Sequence, residues 1–108
     1  MTVKQMVEKL GLKVACMPDG DREVMGGYAG DLLSWVMGRA KSGDAWVTIM
    51  SNVNIVAVAT LADPACIVLS EGVEPEEGVV AKAKGVGVNI LLSNKDTFAL
   101  CSEIASLL

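Results

Sequence analysis

A change of hydrophobic period recurs along this chain and limits the possible folds more than any other feature. Three short apolar runs, AWVTIM at 45–50, ACIVLS at 65–70 and VNILLS at 88–93, have the length and continuity of strands buried on both faces. The segments between them carry helical spacing. From Asp31 onward Leu32, Leu33, Val36, Met37 and Ala40 fall on one helical face, and SGD at 42–44 ends the run. IVAVATLA at 55–62 is apolar enough for a packed helix, with Asn52 or Asn54 as its cap and ADP at 62–64 as its close. Glu74 and Pro75 open the next helix, because proline suits a first helical position and Glu76 and Glu77 favour its positive end; the glycines near Gly85 stop it. Ser93, Asn94 and Asp96 are alternative caps for a last helix that turns Phe98, Leu100, Cys101, Ile104 and Leu108 to the core.

Upstream, Thr2 and Gln5 form a capping box for a helix to Leu10, Gly11 stops it, and LKVACM at 12–17 is a strand. Pro18, Asp19 and Gly20 turn the chain, REVM at 22–25 returns as a short strand paired with the first, and GGYAG at 26–30 follows directly. Strand and helix thus alternate at least three times. The pattern predicts right-handed crossovers and a mostly parallel sheet covered on both faces, a three-layer α/β/α sandwich. With 108 residues the chain makes a single domain, residues 1–108.

Charge and composition remove several classes of function. Lys and Arg number 9 against 13 Asp and Glu, so the net charge of −4 supplies no clustered positive field for nucleic acid, and 4% aromatic residues leave few rings for base stacking. The chain has no histidine, which removes the usual general base at neutral pH and every triad built on one. Cys16, Cys66 and Cys101 lie far apart in apolar runs without a metal-ligand spacing, and read as small core residues of a reducing compartment. Asp21, Asp31 and Asp44 likewise lack ligand spacing. The first residues, MTVKQMVEKL, are charged throughout, and no run of about 20 apolar residues follows. The expectation is a cytoplasmic, non-enzymatic protein with no cofactor, no metal and no membrane or nucleic-acid partner.

In a parallel sheet, ligands sit beyond the carboxyl ends of the strands, where helix N-termini present unpaired N–H groups. The loops placed there are 26–31, 51–54, 70–74 and 93–96. Gly26, Gly27, Asp31, Asn52, Asn54 and Ser93 are therefore the candidate positions for a small anionic ligand, with Lys95 as a possible phosphate partner. GGYAGD has neither the Lys-Ser/Thr of a phosphate loop nor the GxGxxG of a dinucleotide fingerprint. Its glycines read as a strand-to-helix turn, with the Asp31 carboxylate at the helix N-terminus, paired with Arg22. Tyr28 and Trp35 are the candidate interface residues on the surface from Tyr28 to Met37, whereas Trp46 begins a buried strand and belongs to the core.

The segments DR…GGYAGDLLSWVM, GDAWVTIMSNVNIVAVATLAD and ACIVLSEGVEPEEGVVAKAKGVGVNILLSNKDTFAL together resemble the DRTGG domain over nearly the whole chain, with EVM intervening between Asp21-Arg22 and Gly26-Gly27. That family is similar to the N-terminal domain of HPr kinase/phosphorylases and, more remotely, of Mur ligases. The resemblance implies an α/β/α fold with no catalytic role of its own. It also implies a regulatory module of the kind fused to phosphotransacetylases and CBS-containing inorganic pyrophosphatases, where adenine nucleotides act as regulators. The function expected is that of a homodimeric regulatory domain sensing a small anionic ligand such as an adenine nucleotide. The alternative is a scaffold that dimerises and docks on a partner enzyme.

Overall fold

The computed structural model describes residues 1–108. In chain order the elements are α1 (Val3–Leu10), β1 (Lys13–Cys16), β2 (Gly26–Ala29), α2 (Leu33–Arg39), β3 (Asp44–Thr48), α3 (Asn54–Ala62), β4 (Cys66–Leu69), α4 (Val79–Val86), β5 (Ile90–Leu92) and α5 (Thr97–Ser106). The strands form one five-stranded sheet in the order β1-β5-β4-β3-β2. Strands β2 to β5 run parallel, and β1 lies antiparallel beside β5.

Alternation along each strand divides the core into two. Trp46, Ile67, Leu69, Ile90 and Leu92 pack with Val36, Ile55, Val56 and Ala83, from α2, α3 and α4. Ala45, Val47, Cys66, Val68 and Leu91 pack with Val3, Met6, Leu100 and Ile104, from α1 and α5. The three-layer α/β/α sandwich expected from the sequence is present, with α2, α3 and α4 on one face and α1 and α5 on the other. No helix is long and apolar enough to cross a membrane.

Local signals set several element ends as anticipated. Thr2 Oγ1 accepts from the Gln5 N–H (3.1 Å) while Gln5 Oε1 accepts from the Thr2 N–H (2.9 Å), and Gly11 ends α1 at φ 64°. Of the alternative caps for α5, Asp96 is the one used: its Oδ1 accepts from the Ala99 N–H at 2.9 Å.

The chain departs from the sequence expectation in several places; among them, α3 begins behind Val53 with no side-chain cap, and neither Asn52 nor Asn54 is its N-cap. REVM does not form a strand with β1. Glu23 makes one antiparallel bridge to Thr2, and the segment follows the amino terminus through Val3 N–H to Arg22 O (2.9 Å) and Val24 N–H to Met1 O (2.8 Å). The edge strand is instead GGYA, so Gly26 and Gly27 are strand residues and not a strand-to-helix turn. Glycine is a poor strand former, yet here a Cβ on Gly26 would lie 2.9 Å from Asp44 Oδ1, and this close approach to β3 outweighs propensity.

A further departure concerns α4, which begins at Val79 behind Gly78 (φ 86°) and not at Glu74-Pro75. The intervening residues brace a neighbouring loop: Glu76 N–H donates to Ser51 O (2.9 Å), and the Ser51 hydroxyl donates to Glu76 Oε2 (3.2 Å). In addition, the apolar faces are narrower than their spacing suggests. On α5 only Leu100 and Ile104 are buried, Phe98 is 85% exposed and Leu108 is also exposed; on α2 only Val36 is buried, with Leu32 and Met37 at the surface.

Candidate functional site

Strands β2 to β5 step across the sheet one neighbour at a time, so their carboxyl ends line one edge. The helices that follow β2, β3 and β4 return along one face, whereas the helix that follows β5 returns along the other. The chain after β4 and the chain after β5 therefore diverge, and divergence of this kind opens a crevice at the strand ends. A cleft of about 370 Å³ lies there, bounded by Gly72, Val73 and Glu74 after β4 and by Ser93, Asn94 and Lys95 after β5. The antiparallel direction of β1 brings its first residue, Lys13, to the same edge, where it lines the cleft with Leu10 and Gly11.

The two loops are held together at their base. Glu71 N–H donates to Lys95 O (2.8 Å) and Gly72 N–H to Ser93 O (3.0 Å), while the Ser70 and Thr97 hydroxyls meet at 2.6 Å. Glu71 and Gly72 are both left-handed, at φ 62° and 74°. The strain at Glu71 is offset because this conformation lets its carboxylate accept from the Thr97 N–H at 2.8 Å, capping α5. The Lys95 ammonium is 2.6 Å from both Glu103 oxygens.

Of the positions singled out in the sequence, Ser93 lines this cleft, and its Oγ accepts from the Lys95 N–H at 3.1 Å. Asp31, Asn52 and Asn54 lie at the same edge of the sheet but outside the cleft lining. Asp31 does not pair with Arg22. Its Oδ1 accepts from the Thr48 hydroxyl (2.8 Å) and the Ile49 N–H (2.9 Å), which ties the end of β2 to the end of β3. Asn52 Oδ1 accepts from the Asn54 N–H at 2.9 Å and shapes the entry to α3. Gly26 pairs with Asp44, the first residue of β3, and so lies toward the opposite edge; Gly27 lines a second, apolar groove of about 290 Å³ between β2 and α5. Tyr28 borders that groove, and Trp35 stands 52% exposed on α2 with the Arg39 guanidinium 3.7 Å from its ring centre. Lys13, Gly72, Glu74 and Asn94, which also line the cleft, were not among the binding positions singled out in the sequence. The loops carrying Gly72, Glu74 and Asn94 were placed correctly, but nothing local to Lys13 signals that β1 returns beside β5.

Arg22 finds its partner at the other end of the sheet. Its guanidinium donates to Asp63 Oδ1 (2.8 Å) and Asp63 O (2.9 Å), and the Ser42 hydroxyl donates to Asp63 Oδ2 (2.6 Å). The Arg22 hydrogen bond, with that of Ser42, holds the Asp63 carboxyl below its usual range. A cleft of about 230 Å³ beside this pair also contains Asn89.

The cysteine thiols are not activated. Burial pushes the Cys66 thiol up to about 12 and also raises Cys16 and Cys101, so at neutral pH the thiols stay protonated. No three Asp, Glu or Cys side chains are grouped to hold a metal ion.

Among solved structures, the chain is similar to the CBS and DRTGG domains of the regulatory region of Clostridium perfringens pyrophosphatase, crystallised with its activator diadenosine tetraphosphate. The TM-score is 0.71 at 12% identity, over 94% of this chain and 44% of that one, a likeness of fold. No curated protein matches the chain. The family model described as the DRTGG domain matches residues 31–107, a span that begins after Asp21-Arg22 and Gly26-Gly27 and takes in every crossover from α2 onward. By that match, the chain belongs to the DRTGG domain family.

Proposed function

We propose that this protein is a non-catalytic sensing domain that takes an adenine nucleotide in the crevice between β4 and β5. The observation that carries the reading is the coincidence of a polar cleft with the point where α4 and α5 leave for opposite faces. The pyrophosphatase regulatory region of similar fold was crystallised with an adenine-containing activator, which supports the same ligand class here. Protonated thiols and the lack of histidine agree with a binding role and not a chemical one. All three cysteines are free, as a reducing cytoplasm would keep them.

Thermal unfolding of the purified chain with AMP, ADP, ATP and diadenosine tetraphosphate tests this. A ligand at 100 times its Kd adds about 2.7 kcal/mol, which for a domain of this size raises Tm by roughly 10–20 °C. Unchanged Tm with all four compounds at millimolar concentration rejects the proposal.

A second observation favours a dimerising role beside the sensing one. β2 is an edge strand, and GGYA has neither charge nor proline to guard its open side. The apolar groove borders this edge on the α5 face and the exposed Trp35 stands on α2 on the other face, so a second copy or a partner enzyme docked on the edge would meet one or the other. Sedimentation should find a dimer that Gly27→Lys converts to monomer. A chain already monomeric at high micromolar concentration counts against it.

A further inference from the structure

We infer that β2 pairs antiparallel with β2 of a second copy about a two-fold axis at Gly27, joining both sheets into one. This names the partner for the dimerising role proposed above and rests on it. The backbone of the edge carries the argument. Met25 N–H donates to Gly43 O and β2 runs parallel to β3, so alternation turns the N–H and C=O groups of Gly27 and Ala29 toward β3. Those of Gly26 and Tyr28 face outward from the last strand of the sheet, and no loop or side chain bonds them. Antiparallel pairing about Gly27 sets Gly26 opposite Tyr28 of the second copy on each side of the axis, and such a pair exchanges both of its N–H···O bonds. The other edge of the sheet is guarded against pairing by Lys13 and by the register shift between Val14 and Cys16 on β1.

The surroundings fit a second copy. No charged side chain lines the groove beside this edge, so chains of net charge −4 meet there without bringing like charges together. The carboxylates that flank the strand, Glu23 and Asp31, come opposite each other across the axis, and each is already engaged. Glu23 Oε2 lies 3.0 Å from the Met1 ammonium, and Asp31 Oδ1 accepts from Thr48 and Ile49. Gly27 and Ala29 share the α5 face with Ala45 and Val47. The axis therefore places the α5 helices of both copies on one face, where these small residues leave room for the half-exposed Leu108 to be covered.

Amide hydrogen exchange and cross-linking of the full chain test the pairing, with sedimentation to fix the oligomeric state. In the dimer the Gly26 and Tyr28 amides should exchange about tenfold or more slowly than at monomeric dilution. Gly27→Cys sets its Cα atoms about 4.5 Å apart across the axis, within disulfide reach, so mild oxidation should link nearly all of the chain as dimer. A Cβ on Gly27 meets only Ala45 O at 3.6 Å, an ordinary contact that β2 accommodates. Ala29→Cys, opposite Met25 in this register, should stay unlinked, as should the wild type. A dimer whose Gly26 and Tyr28 amides exchange as fast as in the monomer, or in which a folded Gly27→Cys stays unlinked, forms through another surface: the pairing is then wrong and the dimerising role stands. Exchange in the wild type decides alone if the variant does not fold. A chain monomeric at high micromolar concentration overturns both.

Discussion

Replacement of Trp46 by alanine is expected to remove roughly 3–5 kcal/mol of stability, a large part of the about 5–15 kcal/mol that holds a domain of this size together. Trp46 is fully buried on β3, between β2 and β4, in the core that α2, α3 and α4 build over one face of the sheet. Two separate losses follow from the change. The ring leaves a cavity that backbone-close neighbours such as Ile67 and Ile55 cannot collapse into. Its Nε1–H also donates to Gly30 O at 2.9 Å, the contact that fixes the chain leaving the edge strand. Trp46→Phe separates the two, keeping most of the ring and leaving the Gly30 carbonyl unpartnered, for a cost of about 1–2 kcal/mol. Urea unfolding followed by far-ultraviolet circular dichroism measures both, as a fall in midpoint at constant slope. A Trp46→Ala loss below about 1 kcal/mol would contradict a tightly packed core at this position.

The legibility of this fold in its sequence follows the same division between burial and pairing. β3, β4 and β5 were readable because each is buried on both faces by the crossover helices, which makes its residues a continuous apolar run. β2 was not, because GGYA carries no apolar run and glycine usually signals a turn; its place in the sheet comes from contact with Asp44, 15 or more residues away in the chain. The site divides likewise. The loops after β4 and β5 follow from strand-helix alternation, so Ser93 was within reach. Lys13 was not, since its position depends on β1 pairing with β5 across most of the chain. Charge pairing was the least readable: Arg22 has several acids near it in sequence, and only the placement of the α3–β4 turn selects Asp63 over Asp31.

Asn89→Asp is the second substitution expected to have a large effect, and its effect should depend on pH with a sign opposite to that of most carboxylates. Asn89 is 2% exposed at the amino end of β5. Its Oδ1 accepts from the Asp19 N–H (2.9 Å), and its Nδ2 donates to Asp19 O (2.8 Å) and Ala65 O (2.9 Å), joining the turn after β1 to the entries of β4 and β5. Asn89→Ala deletes these bonds and should cost about 2–3 kcal/mol. Asn89→Asp places a carboxylate oxygen against two carbonyl oxygens, and near neutral pH should cost more, about 3–5 kcal/mol. Both burial and the facing carbonyls favour the protonated acid, so its pKa is higher folded than unfolded. Between those two pKa values the folded variant binds more protons than the unfolded chain, and stability falls as pH rises. The gap between wild type and Asn89→Asp should therefore widen from about pH 4 upward and be smallest in acid. Unfolding midpoints measured from acid to neutral pH test this: a gap that stays constant would mean that the new carboxylate remains solvated, and that Asn89 is not the sealed three-way junction described here.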